Sequence, residues 1–189
     1  MLVLPKGVRH IPGFLDRSRQ EELVEAVRAV VAEAPLFAPA MPKTGKPMSV
    51  RMTNCGALGW VTDRERGPPI PGMLQDIWNA VAGSDKSPEA CLVNFYSAEA
   101  RMGLHQDRDE RDLETAVVSI SLGDDCLFRV GGRTRGGQTV SFRLESGDVV
   151  VLGGEGRLAF HGVDRIYPNT STLLRSGGRL NLTLRRVNP

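Results

Sequence analysis

Apolar positions in the first half of the chain recur at helical spacing. In the segment from Ser18 to Ala34, Leu23, Val24, Val27, Val30 and Val31 fall on one stripe, Ser18 and Glu21 make a capping-box pattern at its start, and Pro35 closes it. A second amphipathic helix is expected from Met73 to Ala82 through Leu74, Ile77, Trp78 and Val81, ended by Gly83. Between them, residues 35–69 are rich in proline and glycine and too long for a tight connection, which marks a functional flap.

From residue 90 the pattern shifts to short β-type runs: ACLVNFY, TAVVSISL, DCLFRV, QTVSFRL, GDVVVLG, RLAFHGV and RLNLTLRRV. Turn signals such as GDD, GGRTRGG and ESGD separate several of them, which suits antiparallel strands rather than alternating βαβ units. The expected fold is α+β and mainly β. A double-stranded β-helix, or jelly roll, would occupy about residues 90–187, two N-terminal helices would flank it, and the flap would cross its mouth. Residues 1–189 would form a single domain.

Composition narrows the class. At 189 residues, 41% hydrophobic and 24% charged, the chain can bury a substantial core. The N-terminal MLVLPKGVRHIPGFL carries prolines and charges where a signal peptide needs an apolar block, so a cytoplasmic protein with no membrane association is expected. We expect a monomer without an obligate protein partner. Cys55, Cys91 and Cys126 are odd in number and widely spaced, which argues against a disulfide framework and a cysteine zinc site. Net charge is only +2, yet from Cys126 to Pro189 ten arginines and no lysine face four acids. Arginine without lysine suits bidentate recognition of carboxylate or phosphate, although a solvated basic face gives the same count.

Candidate chemistry begins at LHQDRDE. In an extended chain His105 and Asp107 point the same way, which supplies two metal ligands. Only His10 and His161 remain as further histidines, and His161 falls at the end of the strand pattern RLAFHGV. Two histidines and one carboxylate leave three adjacent positions open on an octahedral iron(II), whereas a structural zinc is closed by protein. Hydrogen-bonded structural imidazoles are the plainer alternative.

In RLNLTLRRV, Leu180, Leu182 and Leu184 share one face and Arg179, Asn181, Thr183 and Arg185 the other. The polar face would be unremarkable toward solvent on an edge strand. Inside a jelly roll it needs a polar guest, because buried cations without partners are costly, and a dicarboxylate would satisfy both guanidiniums. Asn94 and Tyr96, on one face of the strand before His105, would add donors. Iron with open positions beside a dicarboxylate pocket suits 2-oxoglutarate, which would chelate the metal through its keto acid and leave one position for O2.

CLVNFY, LHQDRDE, VVSISLG, GDVVVLGGEGRLAFHGV and RLNLTLRR, together with MTNCGALGW and IPGFL, resemble the AlkB branch of the Fe(II)/2-oxoglutarate dioxygenases over nearly the whole chain. The spacing of Arg179, Asn181 and Arg185 as R-x-N-x-x-x-R is the most specific part of the match. The resemblance implies that His105, Asp107 and His161 hold iron and are catalytic. It implies that Arg179, with Tyr96 and Asn181, binds the distal carboxylate of 2-oxoglutarate, with Arg185 and Asn94 near the chelating end. It also implies a substrate: alkylated DNA, with RNA as an alternative, carrying 1-methyladenine or 3-methylcytosine flipped from the strand and released of its methyl group as formaldehyde. Trp60 and the ring of His105 would sandwich the base, and Asp109 would meet its exocyclic amine. The aromatic residue that such proteins often carry after the flap tryptophan has no counterpart in WVTDRERGPPIPGM. Backbone contacts would then rest on Lys43, Lys46, Arg51, Arg64, Arg66, Arg133 and Arg135. A hydroxylase of a small molecule or protein side chain, or a non-catalytic metal-binding module, are the alternatives on the same scaffold.

Overall fold

The computed structural model describes residues 3–41, 44–58 and 67–189. Two antiparallel sheets face one another. The larger has six strands: β1 (Val8–Ile11), β2 (Val50–Gly56), β3 (Ala90–Tyr96), β5 (Val117–Gly123), β8 (Val149–Leu152) and β10 (Arg179–Arg185), in the order β1-β8-β5-β10-β3-β2. The smaller has the order β4-β9-β6-β7, from β4 (Met102–His105), β6 (Asp125–Gly131), β7 (Thr139–Leu144) and β9 (His161–Tyr167). This is the jelly-roll core with two flanking helices that the alternation pattern implies.

Strand alternation sorts side chains into two cores. Cys91, Val93, Val118, Ile120, Val149, Val151 and the three leucines of β10 point outward from the large sheet onto α1 (Arg17–Glu33) and α2 (Gly72–Val81). Leu92, Tyr96, Val117, Val150 and Leu152 point inward and meet Phe128, Val130, Phe142, Val163 and Ile166 of the small sheet. The site therefore lies between sheets whose outer packing is independent of it.

Several local expectations needed adjustment. The α1 cap is Asp16, which accepts from the Arg19 amide at 2.9 Å, while Ser18 lies inside the helix; an aspartate two residues earlier competes well for that role. Glu21 instead pairs with Arg17 one turn away. Within residues 35–69, Val50–Gly56 is not flap but an edge strand of the large sheet, in full register with β3 from Val50↔Tyr96 to Gly56↔Ala90. Its glycine- and proline-rich surroundings hid a strand whose Val50 and Met52 feed the inter-sheet core. RLAFHGV is not a strand ending at His161: a 3-10 turn at Gly154–Gly156 precedes it, and β9 begins at His161. No helix among the described residues is long and apolar enough to cross a membrane.

Candidate active site

Cross-strand register builds the first part of the site. His105, the last residue of β4, is paired directly with His161, the first of β9, and the two rings lie 4.5 Å apart between centroids. Each ring is aimed by its own backbone: Nδ1 of His105 lies 2.9 Å from the Gly103 carbonyl, and Nδ1 of His161 lies 2.9 Å from that of Ala159. A carbonyl can only accept, so both Nδ1 atoms carry the proton and both Nε2 atoms present lone pairs. Those atoms are 3.7 and 3.5 Å from the carboxylate oxygens of Asp107, and one ligand atom from each of the three residues lies within 4.8 Å of the others.

Asp107 follows the end of β4, so strand alternation does not place it. Two arginines do. Arg185 Nη2 donates to Asp107 Oδ1 at 2.8 Å, and Arg157 Nη1 donates to the Asp107 carbonyl at 2.6 Å. Burial by itself would raise the Asp107 carboxyl, but the Arg185 charge and the neighbouring histidines outweigh it and hold the group well below the usual carboxylate range. Burial and the nearby His161 push the His105 imidazole down. Both shifts favour the ligating forms, an ionised Asp107 and a neutral His105.

The polar face of the final strand points inward. All seven residues of β10 are buried, and the strand is central, between β5 and β3, not at an edge. Its two arginines are treated differently. Arg185 pairs with Asp107 and with Glu110, at 2.8 Å each. Arg179, 1% exposed, donates Nη2 to Ser121 Oγ at 3.0 Å and sits over the Tyr96 ring at 5.2 Å, while its Nε and Nη1 find no hydrogen-bond partner among the described residues. A dicarboxylate shared by both guanidiniums was the expectation from the strand pattern; internal acids take Arg185, and a guest is needed by Arg179. Burial pushes the Tyr96 phenol up to about 12, so it stays a neutral donor. Asn94 donates to Asn181 at 3.2 Å and Asn181 to Ser119 at 2.7 Å, leaving the Asn94 carbonyl oxygen without a partner.

A cavity is lined by the triad, Asn94, Tyr96, Asn181, Thr183 and Arg185 on polar walls and by Leu92, Val117, Phe128, Val150 and Leu152 on apolar ones, with Arg179 behind Tyr96. The residues fit iron and 2-oxoglutarate. Among the described residues Asp107 Oδ2 is buried without a hydrogen bond, and so are two nitrogens of Arg179; a cation at the first and a carboxylate at the second satisfy both. Asp109 is exposed, as is Arg135, which donates to the Leu104 carbonyl at 3.3 Å and lies over the Phe160 ring at 5.1 Å. Trp60, Lys43, Arg64 and Arg66 lie outside the described residues. Glu110 and Arg157 had no signal in the sequence, since one sits in a run of charges and the other beside glycines, yet both are buried.

An antiparallel double sheet that brings two histidines and an acid together, with a buried guanidinium two of whose nitrogens lack a hydrogen-bond partner among the described residues packed over the cavity wall at Tyr96, fits a non-haem iron oxygenase of the 2-oxoglutarate-dependent class. The family model for the 2OG-Fe(II) oxygenase superfamily matches residues 7–185. The chain is 52% identical over 189 residues to an alpha-ketoglutarate-dependent dioxygenase AlkB homolog of Caulobacter vibrioides, covering 93% of this chain and 86% of that one. It is 38% identical over 184 residues to alpha-ketoglutarate-dependent dioxygenase AlkB of Escherichia coli, covering 88% and 84%. The solved structure of OsALKBH1 superimposes with a TM-score of 0.80 at 32% identity, over 98% of this chain and all of that one. The chain belongs to the AlkB family and is an Fe(II)/2-oxoglutarate-dependent dioxygenase whose metal ligands are His105, Asp107 and His161.

Proposed function

We propose that this enzyme removes alkyl groups from nitrogen atoms of nucleic-acid bases, 1-methyladenine and 3-methylcytosine in DNA foremost, and so repairs alkylation damage. The observation that carries the reading is the buried Arg179, two of whose nitrogens lack a hydrogen-bond partner among the described residues, packed over Tyr96, which lines the same cavity as the His105–Asp107–His161 triad. The relatives support the substrate class: proteins of Arabidopsis thaliana named DNA N(6)-methyladenine demethylases are 46% and 44% identical over 110 and 131 residues.

In this reading Arg179 and the neutral Tyr96 phenol hold the distal carboxylate of 2-oxoglutarate, with Asn181 beside them. Asn94 and Arg185 lie toward the metal end. When bound, iron(II) and 2-oxoglutarate supply the oxidising chemistry, in which O2 and the keto acid give succinate, carbon dioxide and a hydroxylated N-methyl carbon. The hydroxymethyl group then leaves as formaldehyde and restores the base. The apolar wall keeps bulk water from the reacting carbon. Exposed Asp109 would meet the exocyclic amine of a lesion that carries positive charge, and Trp60 would stack on the flipped base. Lys46, Arg51, Arg133 and Arg135 are all exposed and supply phosphate contacts that set affinity without reading sequence.

The test is a lesion panel. With iron(II), 2-oxoglutarate and ascorbate, 1-methyladenine and 3-methylcytosine oligonucleotides should lose the lesion and release formaldehyde, and His105→Ala, Asp107→Ala and His161→Ala should abolish turnover. Succinate formation that proceeds while every methylated oligonucleotide stays intact would instead favour hydroxylation of a small molecule or protein side chain. RNA is the second reading, favoured by the 32% identity over 173 residues to the Schizosaccharomyces pombe tRNA demethylase abh1; matched RNA and DNA strands in the same panel separate the two.

A further inference from the structure

Asp107 is carried by a loop, and a buried cluster of four charges gives that loop its shape. Arg157, just after the 3-10 turn, uses every guanidinium nitrogen in it: Nε donates to the Thr115 carbonyl at 2.8 Å, Nη1 to the Asp107 carbonyl at 2.6 Å, and Nη2 to Glu110 Oε2 at 3.2 Å and the Asp112 carbonyl at 3.4 Å. Glu110 is shared, its Oε1 accepting from Arg185 Nη1 at 2.8 Å, and Arg185 Nη2 completes the circuit on Asp107 Oδ1. Side-chain exposures are 0% for Glu110, 2% for Arg157, 3% for Asp107 and 4% for Arg185. Two acids and two guanidiniums therefore cancel with little help from solvent.

We propose that Glu110 and Arg157 are positioning residues for the metal. Arg157 fixes the Asp107 backbone, and Glu110 holds Arg185 so that it binds one carboxylate oxygen only. Oδ2, which has no hydrogen bond among the described residues and lies 3.5 Å from His161 Nε2, is thereby presented to the cation. Without the Glu110 charge, a net positive charge would stand a few ångströms from a dication site. Arg185 would then turn its second nitrogen onto Asp107 and compete with the metal for the carboxylate. Groups that orient metal ligands in this way typically account for about 10–100-fold in metal affinity.

Titration of the metal-free protein with Mn(II), followed by the paramagnetic resonance of the free ion, tests this beside thermal unfolding. Glu110→Gln should bind Mn(II) about 10–100-fold more weakly, while its affinity for 2-oxoglutarate at saturating Mn(II) stays near wild type, because Arg179 is untouched. An uncompensated buried charge will also lower its unfolding midpoint. The double variant Glu110→Leu, Arg157→Met removes both partners in apolar form, so its midpoint should recover while Mn(II) binding stays weak. Wild-type Mn(II) affinity in either folded variant overturns the proposal, as does affinity that recovers with the midpoint in the double variant. The positioning roles rest on the metal site itself, for which His161→Ala is the reference: a wild type no better than that variant would overturn the site, and a difference there with none at Glu110 would overturn only the positioning roles.

Discussion

At the residue scale, the site depends on polar atoms that are buried and deliberately left without protein partners. A buried guanidinium that leaves two nitrogens without a hydrogen-bond partner among the described residues is costly unless a guest completes it. Arg179→Ala should therefore weaken 2-oxoglutarate binding about 10–100-fold, from the loss of a charge-assisted bond of about 1.5–3 kcal/mol, and leave Mn(II) affinity unchanged. Calorimetry of each ligand separately reads both. Equal weakening of the two ligands would mean that Arg179 supports the sheet and not the carboxylate.

At the element scale, β10 and β9 divide the labour. Leu182, fully buried against the helices, faces away from the cavity. Leu182→Ala should cost about 2–5 kcal/mol in urea unfolding with both ligand affinities retained. Gly162 is the opposite case. A Cβ there would meet the Met102 carbonyl oxygen at 2.6 Å and Gly103 backbone atoms at 3.0 Å, and backbone cannot swing aside. Gly162→Ala must push β4 from β9 and part His105 from His161. We expect a loss of about 1–3 kcal/mol together with weaker Mn(II) binding; Leu182→Ala and Gly162→Ala compared at matched stability show whether register alone holds the metal.

At the scale of the whole molecule, acid should destabilise the metal-free protein in two stages. The His105 imidazole is pushed down, so below its ordinary pKa of about 6.5 the unfolded chain takes up a proton that the folded one resists, and stability falls. Three carboxyls act lower. Burial would raise Asp107, Glu89 and Asp112, yet Arg185 for the first, the Asn188 and Val187 amides for the second and the Thr115 amide and hydroxyl for the third hold them down. Their contribution is complete above about pH 4 and is lost as the pH drops through the lower folded values. Urea midpoints from pH 7 to pH 3 should decline with a steepening slope below pH 4; a midpoint that holds constant across the range would contradict both parts. Oligonucleotide binding belongs to this scale too. It should weaken with salt by a log–log slope of roughly 0.7–0.9 per phosphate contact, and Arg133→Ala with Arg135→Ala should flatten that slope.

Much of this was legible in the chain. Period-two alternation in ACLVNFY and RLNLTLRRV follows from the pleat, so the sequence by itself determined which residues of β3 and β10 face helices and which face the cavity. The spacing of His105, Asp107, Arg179 and Arg185 supplied the chemistry. What alternation cannot state is which strands become neighbours. Only the tertiary structure made β10 central and sealed its polar face, put His105 opposite His161, and drew Val50–Gly56 into the sheet. It also decided the charges: Glu110 and Arg157 read as surface residues, and Arg185 could face solvent or a cavity, until non-local packing removes their water, and burial is a property of the whole fold, not of any window of sequence.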